Sequence, residues 1–520
     1  EIGVRLVGSE MCIRDSFGAV HDFGALFASL RHKGETIARV IAENIDDTAK
    51  KLFCVFAYLT LVLVVAAFAS IVANTFATGL ANATPESNLA NQRTAMISML
   101  FILVAIIYGF VTRGREIPLA ANVISAIVII VALVAIGYNF PLISLDYTTW
   151  MILLGIYILV ASVAPVWILL QPRDYLSSYL LYGMIALAII GIIGASLTGD
   201  AANLAMPAFT DFTVTNIAVD PSGNPIINPD TGAAVVNKSA ASGFLFPALF
   251  ITIACGAISG FHSLVASGTT SKQLDSEKNA QPIAYGGMLI ECLLAVISLC
   301  AVAFVWTTYQ AGGYASPTAV FAGGLSQMLA CIPGLSGVQG IAYALLILAV
   351  SAFCLTSLDT ATRLARYMFQ ELWIPTGQNQ HNLTGWRAVL GNAYVATIIT
   401  VVIGVGLGMT GYTIIWPLFG AANQLLAVLA LLAVAAWLGN AGKNNKMFYI
   451  PMVFMLAVTL TSLCMTIQQK FVAVSAGGDI FAAAIQLVIA LFLLVLAVIL
   501  TIKGTKTLIN ANKEKKPAQA

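Results

Sequence analysis

Apolar stretches broken by no more than isolated polar residues recur from Leu52 to Leu500. A bilayer core about 30 Å thick takes roughly 20 helical residues to cross. Twelve segments meet that length: 52–76, 93–112, 118–139, 148–171, 175–197, 244–267, 282–309, 338–358, 387–411, 412–438, 447–468 and 479–502. The pattern predicts an all-α polytopic membrane protein of about twelve transmembrane helices, with the membrane domain at 52–503. Between the fifth and sixth segments lies the external loop 198–243, whose DPSGNPIINPDTG is rich in turn formers. It is read either as a cap over an entrance or as a solvated loop. A second outer loop, 311–337, holds an apolar stretch from Thr318 to Ile332 that is expected to lie along the membrane interface. Residues 17–51 are expected to be a cytoplasmic segment and 504–520 a basic cytoplasmic tail. Residues 1–16, EIGVRLVGSEMCIRDS, carry no periodicity that continues into Phe17 and read as a non-native scar.

Charge orients the spans, because short cationic loops stay on the cytoplasmic side. One set of loops holds Arg31, Lys33, Arg39, Lys50, Lys51, Arg113, Arg115, Arg173, Lys272, Lys278, Arg363, Arg366, Arg387, Lys443 and Lys446, and the tail adds Lys503, Lys506, Lys513, Lys515 and Lys516. The alternate set holds only Arg93, Lys238 and Lys470. Both ends of the chain are therefore expected inside. Composition agrees with a bilayer as solvent: 59% of residues are hydrophobic and 9% charged, with a mean hydropathy of +0.91, against roughly 25% charged in an ordinary soluble domain. The net charge of +2 is spread along the chain, so no nucleic-acid partner is expected. The cysteines stand singly, without a CxxC pair, and are read as small hydrophobes. No metal or cofactor is expected. Four scattered histidines offer no catalytic constellation, so the chain is not read as an enzyme.

Ionisable and polar groups inside spans carry the candidate chemistry, since a charge near mid-bilayer costs roughly 2.5–3.5 kcal/mol on insertion scales. Glu291 lies about 9 residues, or roughly 14 Å, into its helix. His262 is expected at similar depth on the preceding span, and the two can meet across an antiparallel pair. Either can carry a transported proton, or both can be neutral groups that lock helices together. The stretch with Gly256, Ser259, Gly260, His262, Ser263, Ser267, Thr269 and Thr270 reads as a broken transporter helix offering backbone to substrate or ion, or as a packing face around its GxxxG. Pro165 removes a helix bond beside Trp167 and marks a kink or a gate. Asp359 and Arg363, four apart, form a salt bridge at the cytoplasmic boundary or an inner gate. Asn423 and Gln424 put adjacent amides in an apolar span, for interhelical bonding or for ligand contact.

The chain resembles the carbon starvation protein A family of bacterial membrane transporters through long motifs. They are VHDFGALFASLRHKGETIAR at 20–39, PVWILLQPRDYLS at 165–177, FPALFITIACGAISGFHSLVASGTTSKQL at 246–274, YGGMLIE at 285–291, LDTATRLARYMFQ at 358–370 and WPLFGAANQLLA at 416–427. The resemblance implies proton-linked uptake of peptides or pyruvate-like small acids during carbon starvation, in the bacterial cytoplasmic membrane. It further implies a leucine-transporter-like inverted-repeat bundle. The family pattern also places a glycine- and proline-rich helix and another span before VHDF, so an amino-terminally truncated transporter is expected. A nutrient sensor, or a transport-incompetent fragment, is the alternative reading.

Overall fold

The computed structural model describes residues 17–80, 85–115, 118–199, 206, 212–214, 243–311, 313–314, 316–375, 383–475 and 480–514. The expected scar 1–16, most of the loop 198–243 and the final residues 515–520 lie outside the described residues. The helices are α1 (Ala19–Arg31), α2 (Ile37–Asn44), α3 (Asp47–Phe76), α4 (Pro85–Thr112), α5 (Leu119–Asn139), α6 (Tyr147–Val163) and α7 (Leu170–Thr198). A two-residue antiparallel pair, β1 (Thr213–Val214) and β2 (Gly243–Phe244), precedes α8 (Phe250–Ile253) and α9 (Gly260–Gly268). Then come α10 (Ala280–Phe304), α11 (Trp306–Gln310), α12 (Pro317–Ala330), α13 (Gln339–Trp373), α14 (Trp386–Leu390), α15 (Ala393–Gly408), α16 (Tyr412–Asn440), α17 (Tyr449–Ser475) and α18 (Ile480–Glu514).

Among the described residues nine helices are long and apolar enough to cross a bilayer: α3, α4, α5, α7, α10, α13, α16, α17 and α18. Helices α6 and α15 are apolar but shorter, at 17 and 16 residues. The expected span 244–267 is not one helix. It runs through a π-helical turn at Leu245–Leu249, α8 and a 3-10 turn at Ala254–Gly256, then breaks at Ser259, whose backbone is extended (φ −139°, ψ 127°).

Helices apolar on every side belong inside. Accordingly α3 and α16 are largely enclosed, α3 lying along α13 and flanked by α15 and α16. The outer helices turn Leu103, Ile107, Val128, Val131, Val453 and Val495 away from the protein, an apolar surface that suits hydrocarbon rather than water. Among the described residues two large apolar cores form, beside a small cluster of Ala25, Leu26, Ala266 and Ala280. One gathers α3, α16 and the segment Cys354–Phe369 of α13; the other gathers α4, α7, α12 and Leu346–Ala352 of α13.

The structure adds detail to four of these expectations. The stretch expected along the interface, Thr318 to Ile332, forms most of α12, which packs against α7, α10 and α13 with Val320, Leu325 and Met328 buried. Small residues allow this: a Cβ on Gly324 would overlap the backbone of Ala301. The segment 17–51, expected to be cytoplasmic, packs onto the bundle: α1 lies against α9, α10 and α16 and buries His21, Asp22 and Leu26. The span 148–171 ends at Val163, and Pro165 follows the helix instead of kinking it, as expected where the residue before a proline leaves the α region. The tail expected from residue 504 continues α18 as helix to Glu514.

Candidate functional site

The site is built where α1, α9, α10 and α16 converge. Helix α9 starts abruptly inside the bundle, and the residue preceding it, Ser259, makes no side-chain cap. The cap comes from α16: Asn423 Oδ1 accepts the Phe261 backbone N–H at 2.8 Å, and Asn423 Nδ2 donates to Ser259 Oγ at 2.9 Å. A neighbouring helix thus satisfies the first-turn donors that every helix start leaves open. Close approach requires Gly260, since a Cβ there would overlap Leu426 and the Asn423 carbonyl.

In the first turn of α9, His262 faces two carboxylates. Its Nε2 stands 3.6 Å from Glu291 Oε2 of α10, the meeting expected from their depths. Its Nδ1 stands 3.1 Å from Asp22 Oδ2 of α1, and the other oxygen of Asp22 lies 2.8 Å from Nδ1 of His21. The chain of titratable groups therefore runs His21, Asp22, His262, Glu291. Exposure rises along it, from 0% for the His21 side chain through 11% and 25% to 34% for Glu291. His21 and Asp22 were missed as site residues. Their one signal was the VHDF motif, read as part of a cytoplasmic segment.

The remaining candidates separate. Gly256 closes the 3-10 turn before the break. Ser263 donates to the Gly260 carbonyl and Ser267 to the Ser263 carbonyl, and the Ser267 hydroxyl also accepts the Ile37 N–H at 3.2 Å, so both serve packing. Thr269 ends α9 and Thr270 opens the short turn to Lys272, both away from His262 toward the Lys272 end. Gln424 is fully buried, and neither atom of its amide has a hydrogen-bond partner among the described residues.

Asp359 does not pair with Arg363. It bonds to Arg173 of α7 and accepts the Tyr157 hydroxyl of α6 at 2.7 Å, with Arg173 2% and Asp359 0% exposed. Arg363 instead donates to the carbonyls of Ala161 at 2.8 Å and Ala164 at 2.7 Å, which are the open acceptors at the end of α6. Both arginines are buried; Arg173 reaches the carboxylate, whereas Arg363 has the open carbonyls at the end of α6 within reach. Trp167, just after Pro165, packs edge-on to Phe110 and under the Arg113 guanidinium at 3.5 Å.

The long apolar helices and their buried charges make this a multi-pass membrane protein. It belongs to a family whose model, described as carbon starvation protein CstA, matches residues 15–312 and 306–462. The chain is 29% identical to the peptide transporter CstA of Campylobacter jejuni, over 85% of this chain and 66% of that protein. With the peptide transporter CstA of Escherichia coli K12 it shares 29% identity over 96% of this chain and 78% of the relative. With the pyruvate/proton symporter BtsT of the same organism it shares 28%, over 86% and 68%. The chain thus spans about two thirds of the length of the Campylobacter relative.

Proposed function

We propose that this chain forms the core of a proton-coupled secondary transporter that imports peptides or pyruvate-like small acids. The observation that carries the reading is the run Asp22, His262, Glu291 beside a helix broken inside the bundle. Broken helices expose backbone to substrate or ion, and a histidine between two carboxylates is suited to hold and release a proton near neutral pH. The relatives named as a peptide transporter and a pyruvate/proton symporter support the substrate classes and the coupling ion. In this reading Gly256, Ser259, Gly260, His262, Glu291, Asn423 and Gln424 border the path, while Ser263, Ser267, Thr269 and Thr270 support its inner end. Asp359, Arg363, Pro165 and Trp167 belong to an inner gate.

The membrane reading goes with it. The nine long helices, the two shorter ones and the broken segment among the described residues correspond one to one with the twelve predicted spans, which supports a twelve-span bundle; the family resemblance supports a leucine-transporter-like repeat in the bacterial cytoplasmic membrane. The lysine and arginine alternation supports cytoplasmic ends.

The test is uptake by the full-length protein in proteoliposomes. With an inward proton gradient, labelled dipeptide or pyruvate is expected to accumulate, and Glu291→Gln is expected to abolish the response to the gradient. Gradient-dependent uptake by Glu291→Gln equal to wild type at every pH removes Glu291 from coupling. Absence of uptake for both substrate classes removes the transporter reading.

A further inference from the structure

The geometry points to Asp22 as a positioning residue: we propose that it fixes His262 in the tautomer protonated on Nδ1, so that Nε2 is the nitrogen that takes up the transported proton, facing Glu291. The proposal rests on the proton-coupled reading of this site but is tested apart from it.

The argument starts at His21. Its ring is wholly buried, its Nδ1 lies 2.8 Å from Asp22 Oδ1, and its Nε2 has no hydrogen-bond partner among the described residues. A buried N–H without an acceptor is costlier than a buried lone pair on nitrogen, and a second ring proton would add charge. His21 is therefore neutral with its single proton on Nδ1, directed at Asp22. One oxygen of Asp22 is then an acceptor already engaged. The other stands 3.1 Å from His262 Nδ1. An ionised carboxylate only accepts, so His262 Nδ1 must carry hydrogen. In the neutral ring that leaves Nε2 as the basic nitrogen, and Nε2 is the atom 3.6 Å from Glu291. A proton arriving there is held between Nε2 and the Glu291 carboxyl, and the imidazolium it creates is balanced by Asp22 on the opposite edge of the ring. Among the described residues, ionisable groups facing His262 include Asp22, with His21 behind it, from α1 and Glu291 from α10; α16 faces this end of α9 with the amide of Asn423.

The arrangement assigns different work to the two carboxylates. Glu291, the more exposed, exchanges the proton. Asp22, bonded on both oxygens, keeps its charge and orients the ring. Replacing Asp22 by asparagine inverts the logic, because an amide NH2 turned to His262 donates to Nδ1. The ring then places its proton on Nε2, so that a further proton from the Glu291 side is taken up only at lower pH.

Two measurements on the full-length protein in lipid bilayers decide it. Nitrogen-15 solid-state NMR of labelled histidine, with the four histidines of this chain assigned by single substitutions, reads the tautomer directly. Above neutral pH, wild-type His262 is expected to be protonated on Nδ1 and bare on Nε2, and Asp22→Asn is expected to reverse this. An Nε2-protonated His262 in the wild type overturns the proposal without reference to any variant. So does an unchanged tautomer in a folded Asp22→Asn protein. The second measurement is the pH profile of uptake. Loss of a carboxylate beside the ring is expected to lower its proton affinity by about tenfold or more, moving the profile at least one pH unit toward acid. A uniform fall in uptake at all pH values, with no shift, marks Asp22 as merely structural and overturns it. If uptake proves independent of protons while the tautomer is as stated, the coupling reading fails and the assignment of Asp22 as the group that orients His262 stands.

Discussion

Replacing either member of the buried Arg173–Asp359 pair tests the packing of the bundle most sharply. Breaking a buried ion pair costs about 3–5 kcal/mol, because the remaining charge has lost its partner in a poor solvent. The two halves are not equivalent. After Asp359→Asn, Arg173 keeps Asp174 at 3.2 Å, an aspartate with a largely open side chain, as well as Tyr157 at 2.5 Å. The expected loss lies near the lower end, about 3 kcal/mol. After Arg173→Met, Asp359 keeps only the Tyr157 hydroxyl among its present side-chain partners, and the loss is expected near the upper end, about 5 kcal/mol. The double variant Arg173→Met/Asp359→Leu removes both charges and is expected to recover most of the loss, since apolar replacement of a whole buried pair is often close to neutral. Unfolding in mixed micelles, followed by tryptophan fluorescence, gives all four corners of the cycle. Single variants within about 1 kcal/mol of wild type, or losses that simply add in the double variant, would refute the reasoning.

Other outcomes follow from contacts already described. Asn423→Ala removes the cap on the Phe261 N–H and is expected to destabilise by about 1 kcal/mol and to raise amide exchange at the start of α9, whereas Asn423→Asp keeps an acceptor there and the exchange protection. Gly260→Ala forces α9 off Leu426 Cβ and the Asn423 carbonyl and is expected to cost about 1–3 kcal/mol, read as a lowered unfolding midpoint; a midpoint equal to wild type would show that the helices are not in contact. At the start of α3, Asp46 caps the helix through the Ala49 N–H and meets Lys503 of α18 at 2.6 Å. Partial burial opposes ionisation, yet the bonds from Lys503 and from the Ala49 and Thr48 backbone hold its carboxyl below the usual range. The pair therefore contributes at neutral pH, above the unfolded value, and its contribution disappears as pH falls through the depressed folded value, below about pH 4. Being half open, it is worth about 0–1 kcal/mol, so the unfolding midpoints of Lys503→Met and wild type are expected to differ slightly at pH 7 and to converge in acid.

The features legible in the sequence are those set by local composition. Runs of apolar residues long enough for a bilayer identify the spans whatever their neighbours, and the Gly- and Ser-rich stretch 256–270 marks the broken helix because few apolar contacts reward continuing it. His262 and Glu291 were found because each interrupts an apolar run at a similar depth. Partnership over long separations was not legible. Asp359 lies four residues from one arginine and 186 from another, and only packing decides that the distant Arg173 is the one that meets it. Asp22 escaped for a related reason: the cations Arg31, Lys33 and Arg39 give its segment a cytoplasmic character, while the face that enters the bundle is the Ala, Gly and His side of a short helix. Likewise α12 is too short to read as a span, and its burial depends on Gly323 and Gly324 fitting against Tyr314 and Ala301.

Helix α13 has a mechanical consequence. Its residues 346–352 belong to one apolar core and residues 354–369 to the other, so a stiff rod is anchored in two different bodies with the changeover near its middle. At 35 residues it is about 52 Å long. A tilt of about ten degrees about the changeover displaces each end by roughly 4–5 Å in opposite directions, from the arm lengths that this rise sets. In such a tilt the two cores would be carried in opposite directions at the two ends of the helix, and the Arg173–Asp359 pair, close to the changeover, would be displaced least.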